Sequence, residues 1–234
     1  MADVSVIIPT FNEEKNLGKC IKSIKSQKTH LDFEIIISDG NSTDNTIKIA
    51  EKYADKIITS NKKGISFGRN IGAKYAKSDV FCFIDSDTII PKNYLSSVYP
   101  VISGDHSIGA LSCAFKFDHS SKSLRAVESI CNNYLMIKGF HGKGEILGFN
   151  CVICKNYFHK SKGFPDKPLE DGALSIKMRN IGKVIFLPEP RVITSSRRFS
   201  NNGIVKTSIY YAGLSLSTNI DLKRLKNVFT YRKI

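Results

Sequence analysis

The chain has 234 residues, of which 41% are hydrophobic and 24% are charged. This balance excludes a disordered, collagen-like or disulfide-stapled protein, and the length suits one substantial α/β core or one domain with an added lobe. Thirty-five Lys and Arg against 21 Asp and Glu give a net charge of +14, which favours an anionic partner such as nucleic acid, a nucleotide, an acidic lipid surface or a phosphorylated substrate.

Strand and helix signals alternate through the first half of the chain. Ligands of parallel α/β sheets bind at the carboxyl ends of the strands, so the polar residues after each strand are the candidate site. The alternation predicts a mostly parallel, doubly wound sheet with helices on both faces. Apolar runs predict strands at 4–8, 33–37, 57–58 and 80–84, and helical spacing predicts helices at 14–26, 43–53 and 68–76.

The second half of the chain shows a looser pattern. The last 44 residues hold nine Lys and Arg and one acid, a net charge of +8. This tail places apolar residues before basic ones, which predicts either contact with an anionic membrane or packing on the domain. Upstream, the pattern predicts strands at 108–117 and 184–187, helices at 124–137 and 170–181, and a flexible glycine-rich stretch at 139–148.

Cysteine usage and hydropathy indicate a reducing compartment. The six cysteines lie mostly in apolar surroundings, and the pair Cys151 and Cys154 lacks the further ligands that a zinc site needs. Neither a signal peptide nor a membrane-spanning run is expected. The sequence therefore predicts a cytoplasmic protein, peripheral on the inner face of the membrane if the tail binds lipid.

Two carboxylates, Asp85 and Asp87, directly follow the predicted strand 80–84. Acids this close repel each other unless a cation neutralises them, and their hard oxygens suit Mg²⁺ or Mn²⁺ bridging a diphosphate. A simple strand-end turn explains the pair equally well. Asp39 follows the strand 33–37 and is expected beside them, able to accept a hydrogen bond from a base or ribose. Neither a dinucleotide fingerprint nor a P-loop is present.

Five motifs in order resemble those of family 2 glycosyltransferases of the GT-A fold. The resemblance covers roughly residues 3–199 and implies a nucleotide-sugar-binding half at 1–115, an acceptor-binding half at 116–200 of the same domain, and a basic helical tail at 201–234. The motifs are V-I-I-P-T-F-N-E-E at 6–14, D-G-N-S-T-D at 39–44, G-R-N-I-G at 68–72, D-S-D at 85–87 and E-D at 170–171.

The resemblance implies a role for each matched residue. Asp171, within the pair that it forms with Glu170, would deprotonate the acceptor hydroxyl for in-line attack with inversion at the anomeric carbon. A carboxylate at a helix N-terminus keeps its charge, so Asp171 needs burial or an acidic neighbour to become an effective base. Asp87, with Asp85, would hold Mg²⁺ or Mn²⁺ on the diphosphate. The nucleotide would be lined by Pro9, Thr10, Glu13, Asp39, Arg69, Asp85 and Ser86.

Two departures from the family pattern refine this expectation. Ser38 stands where the family often has Asp, which loosens contacts to the base. Residues 195–199 replace the Q-x-x-R-W of processive members, so transfer of a single sugar is expected. Arg197 and Arg198 suit the donor diphosphate or an acceptor phosphate, because guanidinium binds phosphate bidentately. A mobile loop beside the acceptor is expected to contain Gly148, Phe149 and Asn150.

Together these features predict an inverting, metal-dependent glycosyltransferase that moves one sugar from a nucleoside-diphosphate sugar, with UDP-sugars favoured over GDP-sugars. The acceptor would be a glycan or a polyprenyl-phosphate-like lipid, as in glycan or cell-envelope biosynthesis. One alternative is a haloacid dehalogenase-type phosphatase with Asp85 as nucleophile, although that motif normally follows a first strand. Another is a module that binds nucleotide or glycan without turnover. A nucleic-acid partner is not expected, because the basic excess is concentrated in the tail.

Overall fold

The computed structural model describes residues 2–119, 121–204, 206 and 207. The strands in this part of the chain are β1 (Val4–Thr10), β2 (Phe33–Asp39), β3 (Lys56–Thr59), β4 (Val80–Ile84), β5 (Ile108–Phe117), β6 (Asn150–Cys154) and β7 (Lys183–Thr194). The helices are α1 (Leu17–Lys25), α2 (Thr46–Ala50), α3 (Ile65–Tyr75), α4 (Tyr94–Gly104), α5 (Lys122–Phe140), α6 (Lys155–Ser161), α7 (Glu170–Arg179) and α8 (Arg197–Asn202).

The strands form one seven-stranded sheet in the order β3-β2-β1-β4-β6-β5-β7. All neighbours are parallel except β6, which runs antiparallel to both β4 and β5. Thr10 pairs with Asp39 and Ile7 with Phe83, so the carboxyl ends of β1, β2 and β4 lie side by side. We call this border of the sheet the site edge. The predicted mostly parallel α/β sheet is confirmed.

Each face of the sheet buries its own hydrophobic layer. Successive side chains of a strand point to opposite faces, and β1 shows this directly. Val6 and Ile8 pack in the layer that includes the apolar faces of α1, α2, α4 and α5. Ile7 packs on the other side, in the layer that includes residues of α3, α6 and α7. Because both faces are covered, the central strands are continuous apolar runs, which is why the sequence identified them.

The sequence patterns missed α4, β6 and α6 and gave only part of β7. Pro100 lies inside α4 and interrupts its helical pattern. The five residues of β6 follow a glycine-rich stretch and begin with a polar residue, Asn150, which hides a fully buried strand. The apolar pattern of β7 is broken by Pro188 and Pro190, and its pairing with β5 shifts register between Cys113 and Phe115.

The basic tail predicted at 201–234 falls almost wholly outside the described residues, which include only 201–204, 206 and 207 of it. The prediction that this tail either contacts a membrane or packs on the domain therefore stays a prediction. Within the described part of the chain, no helix combines the length and apolar character needed to cross a membrane.

Gly139 allows α5 to lie directly against β7. A methyl group there would come within 2.6 Å of the Phe186 backbone nitrogen, whereas one at Gly104, at the end of α4, would meet nothing within 4 Å. We expect Gly139→Ala to lower the free energy of unfolding by about 1–3 kcal/mol, because the helix must move away from the sheet. Urea unfolding measures this. Gly104→Ala is the control, and an equal effect of both variants would contradict the close packing.

Candidate functional site

The ends of β1 and β2 form a hydrogen-bonded cluster around Asp39, which is only 2% exposed. Thr10 Oγ1 donates to Asp39 Oδ1 at 2.9 Å, and Ser42 donates twice, from Oγ to Oδ1 at 2.6 Å and from its backbone nitrogen to Oδ2 at 2.7 Å. A carboxylate offers about four acceptor positions. Asp39 is thus held rigidly at the site edge with the capacity to accept one further hydrogen bond.

The carboxylates of Asp87 and Glu13 lie close together, and Arg197 contacts both of them. Arg197 Nη2 donates to Glu13 Oε1 at 2.8 Å and lies 3.3 Å from Asp87 Oδ2. Burial raises the pKa of Asp87 to about 6, with further contributions from Asp85 and Glu13, while Arg197 and Arg198 act in the opposite direction. The negative charge at Asp87 is therefore only partly compensated by the chain.

Arg69, on α3, occupies the centre of the site and is 1% exposed. Its Nη2 contacts Asp85 Oδ1 at 2.8 Å, its Nη1 contacts Glu170 Oε1 at 2.6 Å, and its guanidinium lies 5.0 Å from the centre of the Phe164 ring. Burial alone would lower the pKa of Arg69, but Asp85 and Glu170 raise it well above its ordinary value. Arg69 was expected to line the nucleotide. Instead its guanidinium is enclosed by protein groups, so Arg69 positions the side chains of Asp85 and Glu170 and does not face a ligand.

Asp171 begins α7 beside Glu170 and is partly buried. Its Oδ2 accepts from the Gly148 backbone nitrogen at 3.1 Å, and its Oδ1 accepts from the Gly172 nitrogen at 2.8 Å. Burial raises the pKa of Asp171 to about 6, and the charge of Glu170 adds to this, while Arg69 and the two backbone donors limit the rise. The sequence argument required burial or an acidic neighbour for an effective base, and the structure supplies both.

Residues 148–150, which the sequence predicts to lie in a mobile loop, pack closely against Arg69, Asp85 and Phe115 in the structure. The Gly148 Cα lies so close to Arg69 that a Cβ would be 2.5 Å from Nη2. The Phe149 carbonyl accepts from the Asp85 nitrogen at 3.3 Å, and its ring packs against Phe115. Upstream, the loop is tied to β7, where the Gly144 nitrogen donates to the Val184 carbonyl at 2.7 Å.

Asn150 was expected at the acceptor, and this expectation is wrong. Its side chain is fully buried, accepts a hydrogen bond from Tyr94 Oη at 2.6 Å and donates to the Cys113 carbonyl at 2.6 Å. Both ends of the amide are therefore occupied by β5 and α4. Asn150 fixes the start of β6 at the site edge and does not face a ligand.

The remaining expected residues lie at or next to the site edge. Pro9 is buried in β1, beneath the glycine-rich turn of α3 at Gly68. Ser86 is buried in the turn that the Thr88 nitrogen closes on the Asp85 carbonyl at 2.9 Å. Arg198 is exposed on α8, close enough for its charge to lower the pKa of Asp87.

Two residues of the site were not among those selected from the sequence. Ser42, three residues after Asp39, donates to it from both its hydroxyl and its backbone nitrogen. Asp side chains commonly accept from nearby backbone N–H groups, so the spacing of the two residues could have indicated this. Phe164 covers the guanidinium of Arg69. No local signal marks Phe164, because its partner lies far away in the chain.

Asp85 and Asp87 are the residues that fit a divalent cation. Mg²⁺ and Mn²⁺ prefer oxygen ligands, and in phosphate-binding sites one or two protein carboxylates suffice because phosphate oxygens and water complete the shell. Among residues 2–119, 121–204, 206 and 207, no group of three or more His, Cys, Asp or Glu side chains converges as a metal site. The donor set thus suits a cation shared with a bound phosphate rather than a structural metal.

This sheet order, with acids gathered at the ends of β1, β2 and β4, defines an α/β protein of the GT-A type. The fold matches TarS 1-349 of Staphylococcus aureus with a TM-score of 0.68 at 19% identity, over 99% of this chain and 76% of that one. TarS 1-349 in complex with UDP-GlcNAc gives a TM-score of 0.66 at 22% identity, over 83% and 59%. Mannosyltransferase PcManGT from Pyrobaculum calidifontis, in complex with GDP-Man and Mn²⁺, gives 0.68 at 18% identity, over 91% and 64%.

The sequence identifies the family within that class. Residues 5–163 match the family described as Glycosyl transferase family 2, and the chain belongs to this family. It is similar to the poly(ribitol-phosphate) beta-N-acetylglucosaminyltransferase TarS of S. aureus (strain Mu50 / ATCC 700699), 34% identical over 114 residues, 46% of this chain and 20% of that protein. The probable glycosyltransferase YdaM of Bacillus subtilis (strain 168) is 31% identical over 201 residues, 76% and 47%. The chain spans less than half the length of either relative.

The family assignment argues against the phosphatase hypothesis for Asp85. The geometry agrees, because Oδ1 of Asp85 is already engaged by the buried guanidinium of Arg69. The candidate site instead has two parts. One is the group of acids at the site edge, which can bind a cation shared with a phosphate. The other is Asp171 on α7, a carboxylate with a raised pKa.

Replacing Arg69 by an uncharged residue tests whether its charge stabilises the folded protein. In Arg69→Met, Asp85 and Glu170 lose their shared cation inside the protein, and we expect the free energy of unfolding to fall by about 3–5 kcal/mol. Denaturant unfolding at neutral pH measures the change. Arg191→Met is the matched control, because Arg191 pairs with Glu189 at the surface and such pairs contribute about 0–1 kcal/mol. A similar small effect for both variants would contradict the role of Arg69.

Proposed function

We propose that this chain transfers one sugar from a nucleoside-diphosphate sugar to an acceptor hydroxyl, with inversion at the anomeric carbon. The observation that carries the proposal is the placement of Asp171. It lies beside Glu170, whose partner Arg69 also contacts Asp85 at the acidic edge. A base and a phosphate-binding edge are thus linked through one buried cation. Membership of glycosyl transferase family 2 supports the same reaction.

The donor is a uridine nucleotide in preference to a guanosine nucleotide. Asp39 already accepts from Thr10 and twice from Ser42, so it can accept one more hydrogen bond. Uracil presents a single ring N–H, whereas guanine presents an N–H and an amino group that a free carboxylate would bind together. The complexes of TarS with UDP-GlcNAc and of PcManGT with GDP-Man indicate that the fold itself admits both bases.

The diphosphate is placed over Asp85 and Asp87, next to Arg197 and Arg198. Mg²⁺ or Mn²⁺ held by Asp87, with Asp85, supplies positive charge that stabilises the departing nucleoside diphosphate. Arg197 is half exposed and so can turn toward a phosphate. Its guanidinium offers the paired donors that phosphate oxygens favour. Thr10 holds the ends of β1 and β2 together beneath the donor through its hydrogen bond to Asp39, and Ser86 is buried in the turn after β4.

Asp171, and not Glu170, acts as the base. Glu170 is neutralised by Arg69 at 2.6 Å, whereas Asp171 meets only backbone donors. As the acceptor oxygen bonds to the anomeric carbon, the bond from that carbon to the diphosphate oxygen breaks, and the acceptor proton passes to Asp171. A pKa of about 6 keeps Asp171 ionised at neutral pH while making it a better proton acceptor than an exposed aspartate.

The acceptor is a glycan hydroxyl in preference to a polyprenyl phosphate. A phosphate acceptor is already ionised and needs no base, so the raised pKa of Asp171 would serve no purpose with it. Transfer of a single sugar and a location at the inner face of the membrane remain parts of this proposal. If the sugar is transferred neither to an acceptor nor to water, the chain is instead a module that binds the donor without turnover.

The first prediction of the mechanism concerns Asp171. In Asp171→Asn the acceptor proton has no base, and we expect transfer from UDP-GlcNAc to fall by roughly 10²- to 10⁴-fold, measured as sugar transfer over a panel of glycan acceptors. Asp166→Asn is the matched control, because Asp166 is exposed just before α7 and should leave the rate unchanged.

The pH profile separates loss of the base from loss of structure. The base works ionised, so kcat/KM of the unaltered chain should fall as pH drops below about 6, where Asp171 takes up its proton. The assay contains saturating Mg²⁺ or Mn²⁺, because the pKa of Asp87 is also about 6 and a bound cation would keep that carboxylate ionised. Under this condition the residual activity of Asp171→Asn should lack the descending limb. Wild-type activity in this variant, or an unchanged limb, would exclude Asp171 as the base.

The second prediction concerns the nucleotide and its cation. By calorimetry, UDP should bind more tightly than GDP, and its affinity should fall when EDTA replaces Mn²⁺ or Mg²⁺, because a cation held by Asp87 would supply positive charge to the diphosphate. Asp87→Asn should lose the part of the affinity that depends on the cation, whereas Asp79→Asn, exposed at the opposite end of β4, should not. Equal UDP affinity with and without EDTA would refute the metal-bridged site.

A further inference from the structure

The outer face of α5 carries a row of exposed apolar side chains. Ile130 is 69% exposed, Tyr134 47%, Ile137 64% and Phe140 87%. We call these four residues the α5 stripe. Single exposed apolar residues are ordinary on protein surfaces, but a contiguous group on one element indicates an interaction site.

The stripe is separate from the face of α5 that builds the core. The four residues follow each other at spacings of four, three and three, which places them on one side of a helix. Leu124, Leu135 and Gly139 are buried on the opposite side, against β5 and β7. Packing inside the domain therefore leaves the stripe uncovered by the described residues, and α5 is apolar on both of its faces.

Positive charge flanks the stripe. Residues 121–145 contain Lys122, Arg125, Lys138 and Lys143 against the acids Glu128 and Glu145, a net charge of +2. Glu128 is turned toward the sheet, where its Oε1 accepts from the Phe117 nitrogen. Lys138 lies 5.2 Å from the centre of the Tyr134 ring and also pairs with Glu145.

We propose that the α5 stripe is a membrane-binding surface, and that α5 lies in the interfacial plane of an anionic bilayer. Apolar and aromatic side chains enter the boundary between headgroups and acyl chains, and the exposed Lys122 and Lys143 meet the anionic headgroups. This inference concerns attachment and not catalysis, so it does not depend on the proposed transfer reaction.

Charge favours a bilayer over a second copy of the chain. In a symmetric dimer the same patch meets itself, so two basic borders of +2 would face each other within chains of +14. An anionic lipid surface instead complements both the apolar row and its border. The apolar area of four side chains alone gives weak, reversible attachment, which suits a peripheral protein.

Vesicle flotation of the full chain tests the proposal. Wild-type protein should float with phosphatidylcholine vesicles that contain phosphatidylglycerol and should remain largely unbound with phosphatidylcholine alone. The variant Ile137→Glu with Phe140→Glu should lower the bound-to-free ratio on the anionic vesicles by at least about tenfold, because charged groups would enter the apolar boundary. These side chains are exposed, so the fold should be retained, which circular dichroism verifies.

A matched variant carries the same charge change elsewhere. Tyr75→Glu with Ile181→Glu alters two other exposed apolar residues and should float as the wild type does. Equal loss in both double variants would show a general charge effect and overturn the proposal. It would also be overturned if the wild type failed to float on the anionic vesicles.

Two further results would assign the stripe to another occupant. If Lys223→Glu with Arg224→Glu abolished flotation while the stripe variant still floated, the membrane would be bound through the tail and not through α5. If the wild type sedimented as a dimer without lipid and the stripe variant as a monomer, the stripe would be a self-association surface.

Discussion

A single buried guanidinium holds the candidate site together. Arg69 reaches Asp85, sixteen residues away, and Glu170, 101 residues away. Two carboxylates this close would repel each other and could not be buried ionised without a cation between them. Arg69 pairs directly with Glu170, whereas Asp171 makes no ion pair with the described residues and feels the charge of Arg69 only through space. This contact is the reason why we propose Asp171, and not Glu170, as the base.

The antiparallel strand β6 brings the two halves of the chain to the same edge. It pairs with β4 so that Asn150 lies opposite Ile84, at the point where the acidic motif begins. The residues before β6 must then pass directly over Arg69, which only glycine at position 148 allows. The Gly148 nitrogen is thereby presented to Asp171. Asp171, Gly148 and the acidic motif are thus positioned by one strand that local patterns did not reveal.

The sequence was most informative where signals are local. Apolar runs located β1, β2, β4 and β5, and parallel pairing then placed Asp39 on the same edge of the sheet as the acids after β4. Asp39 is not their direct neighbour, because β1 lies between β2 and β4. The contacts of Arg69 could not be predicted, because the partner of a buried cation is set by tertiary packing rather than by spacing. For the same reason Asn150 was misplaced: a polar residue after glycines suggests a loop, and only the contacts to Tyr94 and Cys113 reveal a buried strand end. The assignments of nucleotide, metal and base remain predictions of function.

Arg197 places a positive charge next to the acids at the site edge. Its guanidinium contacts both Glu13 and Asp87 from α8, after the last strand of the sheet. The folded chain therefore supplies part of the counter-charge at this edge itself. Proteins whose acids are balanced only by bound metal fold and unfold with that metal. Here a guanidinium shares that task, so the free energy of unfolding should depend less on a divalent ion than it does in such proteins.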